Sequence, residues 1–205
     1  GGGAVQVLTA SLQFNGGQPL YHEISTADEF IDAMNLYGKN YENFRINANI
    51  DLTGRTLPMN LKLNRLVGSG DGYEISGIKY EIRSQGQSLI EVLTGTMQNL
   101  TFKDVTATAA DHTVVNGGKN VGLISLNQGE IRNMKFDNVS ITAPVSSTYT
   151  GVIGSSMGTL KNIELKNIRV SSTGSYTGGL CGEAFGTVDG VTAVGTKAAD
   201  GTYQY

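Results

Sequence analysis

Three stretches of the chain are copies of one another. GTMQNLTFKDVTA at 95–107, GEIRNMKFDNVSI at 129–141 and GTLKNIELKNIRV at 158–170 carry apolar residues at matching offsets, and a decayed copy, GTVDGVTAVGT, begins at 186. Their leading glycines stand 34, 29 and 28 residues apart, and seven residues before each lies SLIE (88), GLIS (122), GVIG (151) or GLCG (179). Two motifs at fixed separation define a structural repeat. A unit of this length cannot bury an apolar face alone, so the copies must stack on one another.

The offsets give the local structure. Met97, Ile131, Leu160 and Val188 form one apolar column, and Leu100, Met134, Ile163 and Val191 the next; Phe102, Phe136 and Leu165, then Val105, Val139 and Ile168, complete the set. Polar residues alternate between them, the period-two pattern of half-buried strands and not the 3.6 of a helix. Asn99, Asn133 and Asn162, and again Asp104, Asn138 and Asn167, interrupt the runs. These residue types tolerate left-handed backbone angles and bond their own turns, so both columns are expected to stack as turn ladders. Lys103, Asp137 and Lys166 would then be neighbours of alternating sign, with Lys135 beside Glu164, an arrangement that favours this register by roughly 0.2–1 kcal/mol per pair.

The reading is an all-β chain, a right-handed parallel β-helix or β-solenoid of about six coils. YENFRINANIDLTG at 41–54 supplies a first long strand with Phe44, Ile46, Ala48, Ile50 and Leu52 alternating, and GYEISGIKYEI at 72–82 a shortened copy. Before them, Thr26 and Glu29 make a capping box for a short helix with Phe30, Ala33, Met34 and Tyr37 on one face and Gly38 as its stop. Such a helix can plug the N-terminal end of a solenoid, which otherwise exposes core and strand edge. The expected division is a cap at 1–40 and stacked coils over 41–205, one structural unit together.

Composition agrees and narrows the function. Glycine is abundant (28), proline scarce (3) and tryptophan absent, which suits short strands and tight turns. Charged residues are 16% of the chain, scattered singly, with a net charge of −3, so nothing attracts nucleic acid. The single cysteine, Cys181, excludes an internal disulfide. No apolar run reaches the ~20 residues that span a bilayer, and the opening GGGAVQVL lacks the features of a signal peptide; a leader or lipid anchor is expected to have been removed.

GLIS, GVIG and GLCG followed by GxhxNhxh resemble the GLUG-type repeats of bacterial surface proteins. ISTADEFIDAMN, INANIDLTG and GSGDGYEISGI are similar to the opening of such β-helices, so the resemblance covers roughly residues 24–195. It implies an extracellular or cell-surface bacterial setting and an adhesive, binding or spacer role. Gly190 in place of the first turn asparagine, and the decay after Val191, depart from the pattern and mark a terminal cap or a cut through a longer protein.

Candidate chemistry is sparse. Pectate-lyase-like β-helices cluster acids with Lys and Arg to hold calcium and abstract a proton, whereas Asp104, Asp137, Glu164 and Asp189 fall at different offsets here and read as solvated charge pairs. Glycosidase action needs two carboxylates roughly 5–10 Å apart across a cleft, for which only Asp71 with Glu74, or Glu183 with Asp189, are near enough in sequence. His22 and His112 lack spaced ligand partners and read as exposed loop residues, so neither a metal nor another cofactor is expected. No GxSxG elbow appears. Cys181 shares the column of Ile124 and Ile153 and reads as an inert core thiol; GSGDG at 68–72 precedes a strand and reads as a turn. The sequons at Asn99 and Asn138 belong to the turn ladders, and TAT at 106–108 does not recur as an ice-binding array would require. One pattern remains: Tyr149, Tyr176 and Tyr203 recur at 27-residue intervals before the glycine-rich segments. Stacked along one edge they would offer a platform for a sugar ring or a partner protein, or simply cover one another as a structural ladder. A non-catalytic binding module, with glycan among its ligands, is therefore set against a polysaccharide lyase or glycoside hydrolase.

Overall fold

The computed structural model of the chain describes residues 14–15, 17–83, 88–109, 120–143, 149–172, 176–194, 196–197 and 203–204. His112 and the opening glycines lie outside them. The elements begin with β1 (Phe14–Asn15), β2 (Gln18–Pro19), β3 (His22–Ile24), the helix α1 (Ala27–Tyr37), β4 (Glu42–Ile46) and β5 (Ile50–Asp51). The longer strands follow: β6 (Leu61–Gly68), β7 (Tyr73–Ile82), β8 (Ile90–Ala109), β9 (Ile124–Asn127) and β10 (Glu130–Thr142). Then come β11 (Tyr149–Thr150), β12 (Ile153–Ser156), β13 (Thr159–Ser171), β14 (Tyr176–Thr177), β15 (Cys181–Ala184), β16 (Val188–Val194), β17 (Thr196–Lys197) and β18 (Tyr203–Gln204). Among the described residues the chain is all-β apart from one helix, and twelve of the strands form one large parallel sheet.

The register is the one that the repeat demands. Met97, Ile131, Leu160 and Val188 are successive partners, as are Leu100, Met134, Ile163 and Val191. Phe102 and Phe136 stack with ring centroids 5.9 Å apart and planes 6° apart. All these residues except Val188 and Val191 are buried. The shorter strands before each copy form their own rows, with Ile90 on Ile124, Ile124 on Ile153 and Ile153 on Cys181. Among the described residues, six successive segments, 42–51, 61–82, 90–109, 124–142, 153–171 and 181–194, align in this way.

Turns and glycines explain why these residues recur. Asn99, Asn133 and Asn162 have φ of 61°, 51° and 52°, and Asp104, Asn138 and Asn167 have 55°, 56° and 51°. Gly72 and Gly77 take the same two positions in the preceding segment, and Gly190 takes the first in the last, all with positive φ. The asparagine carboxamides also link neighbours: Asn162 donates to Asn133 at 2.7 Å and Asn138 to Asp104 at 2.8 Å. The leading glycines answer a different need. A Cβ on Gly129 would lie 1.9 Å from the Gly95 carbonyl oxygen, on Gly158 1.9 Å from that of Gly129, and on Gly186 2.0 Å from that of Gly158. Only a residue without a side chain permits that approach.

The helix is capped as the sequence predicts. Thr26 Oγ1 accepts from Glu29 N–H at 3.1 Å, Gly38 N–H donates to Met34 O, and Phe30 and Met34 are buried in the shared core. Three expectations need correction. The sheet starts at β3, ahead of the helix, because His22, Glu23 and Ile24 pair with Phe44, Arg45 and Ile46; residues 1–40 are thus partly sheet. The long strand expected over 41–54 breaks into β4 and β5, since Asn47 turns to bond Ile24 O and Glu23 and Asn49 accepts from Glu74 N–H. His22 is no exposed loop residue: its ring stacks on Tyr37 at 4.0 Å and its Nε2 lies 3.0 Å from the buried Glu42 carboxylate.

Candidate functional site

Before β12 and β15 the chain makes two short parallel strands, β11 and β14, in which Tyr149 pairs with Tyr176 and Thr150 with Thr177. Val121 pairs with Thr150 one segment earlier. This third row lies close against the main sheet because the GVIG and GLCG glycines leave room. A Cβ on Gly182 would come within 2.4 Å of Thr150 N and 2.8 Å of Tyr149 Cα. The recurring glycines therefore position the tyrosines.

The two rings meet at 5.2 Å between centroids, inclined at 34°. Phe185 adds an edge-on contact to Tyr149 at 6.5 Å and 86°. Tyr176 is 53% exposed and Phe185 62% exposed, so the cluster presents aromatic surface outward. Glu183, one residue beyond Gly182, accepts a hydrogen bond from the Tyr149 hydroxyl, and that bond with the carboxylate's charge raises the Tyr149 pKa above the ordinary phenol value. The other Glu183 oxygen, Oε2, is buried without a hydrogen-bond partner. Tyr149 and Tyr176 were legible from their spacing, whereas Phe185 and Glu183 were not. The register Ile153 on Cys181 fixes where Glu183 falls, yet nothing in the sequence says which way the tyrosine row leans.

Tyr203 departs from the expected strip. It belongs to β18, which runs antiparallel to β17 with Lys197 as its partner, so the strand pairing places it outside the Tyr149–Tyr176 row. The spacing alone suggested a third copy. The repeat has decayed there, and an antiparallel pair replaces the parallel one.

The remaining candidates resolve individually. Asp71 and Glu74 line a hollow of about 320 Å³ with Tyr73, Asn49, Asn99 and Lys135. Another hollow, of about 560 Å³ and lined by Ile141, Leu165, Ile168, Val170, Thr177 and Gly178, lies where β13 runs past the end of β16. Glu183 and Asp189 stand in different rows, opposite Ser155 and Lys161. Among the described residues no three of His, Cys, Asp or Glu come together as a metal site. Burial pushes the Cys181 thiol up to about 12, as its place beside Ile153 requires. Lys135 meets Glu164 at 3.6 Å, and Lys103, Asp137 and Lys166 are register neighbours. Among the described residues no helix is long and apolar enough to cross a membrane. Comparison with protein-family models, with curated proteins and with solved structures finds no match to this chain.

Proposed function

We propose that the chain is a right-handed parallel β-helix of the GLUG-repeat type that serves as a non-catalytic binding module on a bacterial cell surface, with glycan as its ligand. Three parallel rows, visited in the same order by each repeat, support the winding: the short strands β9, β12 and β15, the long strands β8, β10, β13 and β16, and the outer row of Val121, β11 and β14. A chain that returns in parallel through a crossover to the same sheet turns right-handed in nearly all cases. The helix α1, buried by Phe30 and Met34 against the first segments, acts as the cap.

One observation carries the binding reading. Tyr149 and Tyr176 are held in register by paired strands, with Tyr176 and Phe185 open to solvent and Glu183 beside them. Aromatic rings present the flat apolar surface that packs on the C–H face of a sugar, and an adjacent carboxylate accepts from its hydroxyls. An array of bacterial and host glycans, probed with the wild-type chain and with the double variant Tyr149→Ala/Tyr176→Ala, tests this. Binding lost in the variant supports the reading. Binding that survives the variant, no binding at all, or turnover of a uronate polymer by the purified chain would overturn it.

A further inference from the structure

Glu183 sharpens what this surface recognises. Its carboxylate acts on the Tyr149 hydroxyl, and its Oε2 is buried and unpartnered. Among the described residues no lysine or arginine forms an ion pair with it. A half-buried anion with an orphan oxygen calls for a donor, and the rings around it decide which kind. Tyr149 meets Tyr176 and Phe185 in the same cluster, and a cation is attracted both to aromatic ring faces and to a carboxylate. A neutral hydroxyl would satisfy the orphan oxygen but brings no positive charge to pair with the carboxylate or with the rings.

We infer that the Tyr149–Tyr176–Phe185–Glu183 cluster selects a sugar bearing a free, protonated amino group, an unacetylated hexosamine, with the ammonium seated between Glu183 and the aromatic rings. The inference rests on the glycan-binding reading above and adds its chemical class. It differs from that reading in what it forbids: capping the amine with an acetyl group removes the charge and must weaken binding.

Isothermal titration of the full chain with glucosamine oligomers and with their N-acetylated counterparts, in mildly acidic buffer that keeps the amine protonated, separates the two claims. The amine form should bind about tenfold more tightly, the ratio that one charge-assisted contact supplies. Glu183→Gln should erase the difference between the two oligomers, and Glu183→Asp should restore part of it. Equal or tighter binding of the acetylated form, or an amine preference that survives Glu183→Gln, overturns the amine selectivity but leaves a tyrosine-dependent glycan site standing. Binding of a lysine-rich peptide as tight as that of the amino sugar also overturns it, since recognition would then be of charge and not of sugar. Failure of both oligomers to bind defeats the inference and, when the wider array is also silent, the glycan reading with it.

Discussion

Replacing Gly129 with alanine is the sharpest perturbation of the stack. The added Cβ would stand 1.9 Å from Gly95 O, 2.7 Å from Gly95 C and 2.7 Å from Thr94 O. Ordinary contact begins near 3.4 Å, so the strands must separate locally by about 1.5 Å. Paired strands lie only ~4.8 Å apart, so such a shift breaks adjacent bonds. The Gln128 N–H bond to Leu93 O, 2.8 Å long, lies next to the clash. Overpacking costs about 1–3 kcal/mol and each lost bond about 1, so the substitution should destabilise the chain by about 3–5 kcal/mol. Gly54→Ala is the control, because Gly54 has φ +74° and nothing within 4 Å of an added methyl group, so its penalty is conformational alone, about 1–2 kcal/mol. Urea unfolding followed by far-ultraviolet circular dichroism measures both. A Gly129→Ala midpoint equal to wild type, or a loss no larger than that of Gly54→Ala, would refute the claim that the leading glycines exist for close stacking.

Further outcomes follow from the same geometry. Asn133→Ala forces a left-handed residue at φ 51° and removes the acceptor for Asn162, so it should cost about 2 kcal/mol in urea unfolding, whereas Asn133→Gly should cost distinctly less. Phe136→Ala, which leaves a hole beside Phe102 in the core, should cost about 3–5 kcal/mol in the same assay. With its pKa at about 12, the Cys181 thiol is about one part in ten thousand thiolate at pH 8, so a disulfide reagent should label it slowly in the native chain and rapidly in urea. Its protonated form is the one favoured by folding. That contribution is therefore fully present below the unfolded thiol's pKa of roughly 8.5 and is lost as the pH rises toward the folded value, so wild type should lose stability relative to Cys181→Ala progressively as the pH rises above about 8.5.

Most of the sheet could be read from the chain because each column is written several times. Met97, Ile131 and Leu160 are independent witnesses to one position, and the asparagines at 99, 133 and 162 to another. Legibility fails where the copies end. Gly72 and Gly77 hold the turn positions of an earlier segment with no asparagine to announce them, and Asn47 and Asn49 break a strand that alternation alone predicted. His22 is covered because a helix folds over a strand whose pairing no local pattern declares. At the site, the recurrence of tyrosine gave the row. The positions of Phe185 and Glu183 depend on how β11 and β14 lie against the sheet, a tertiary property set by the absent side chain of Gly182. Tyr203 shows the opposite error, a spacing that persists after the pairing that gave it meaning has changed.

The central claim is that the exposed tyrosine row is where a glycan binds, and ring-proton NMR of the tyrosine-labelled chain during titration with an oligosaccharide tests it most directly. The signals of Tyr149 and Tyr176 should move together and saturate with the binding isotherm, while that of Tyr80, whose hydroxyl is held by Gly122 O inside the structure, stays fixed. Saturable binding that leaves both rings unmoved would contradict the claim, as would shifts confined to the Asp71–Glu74 hollow around Tyr73.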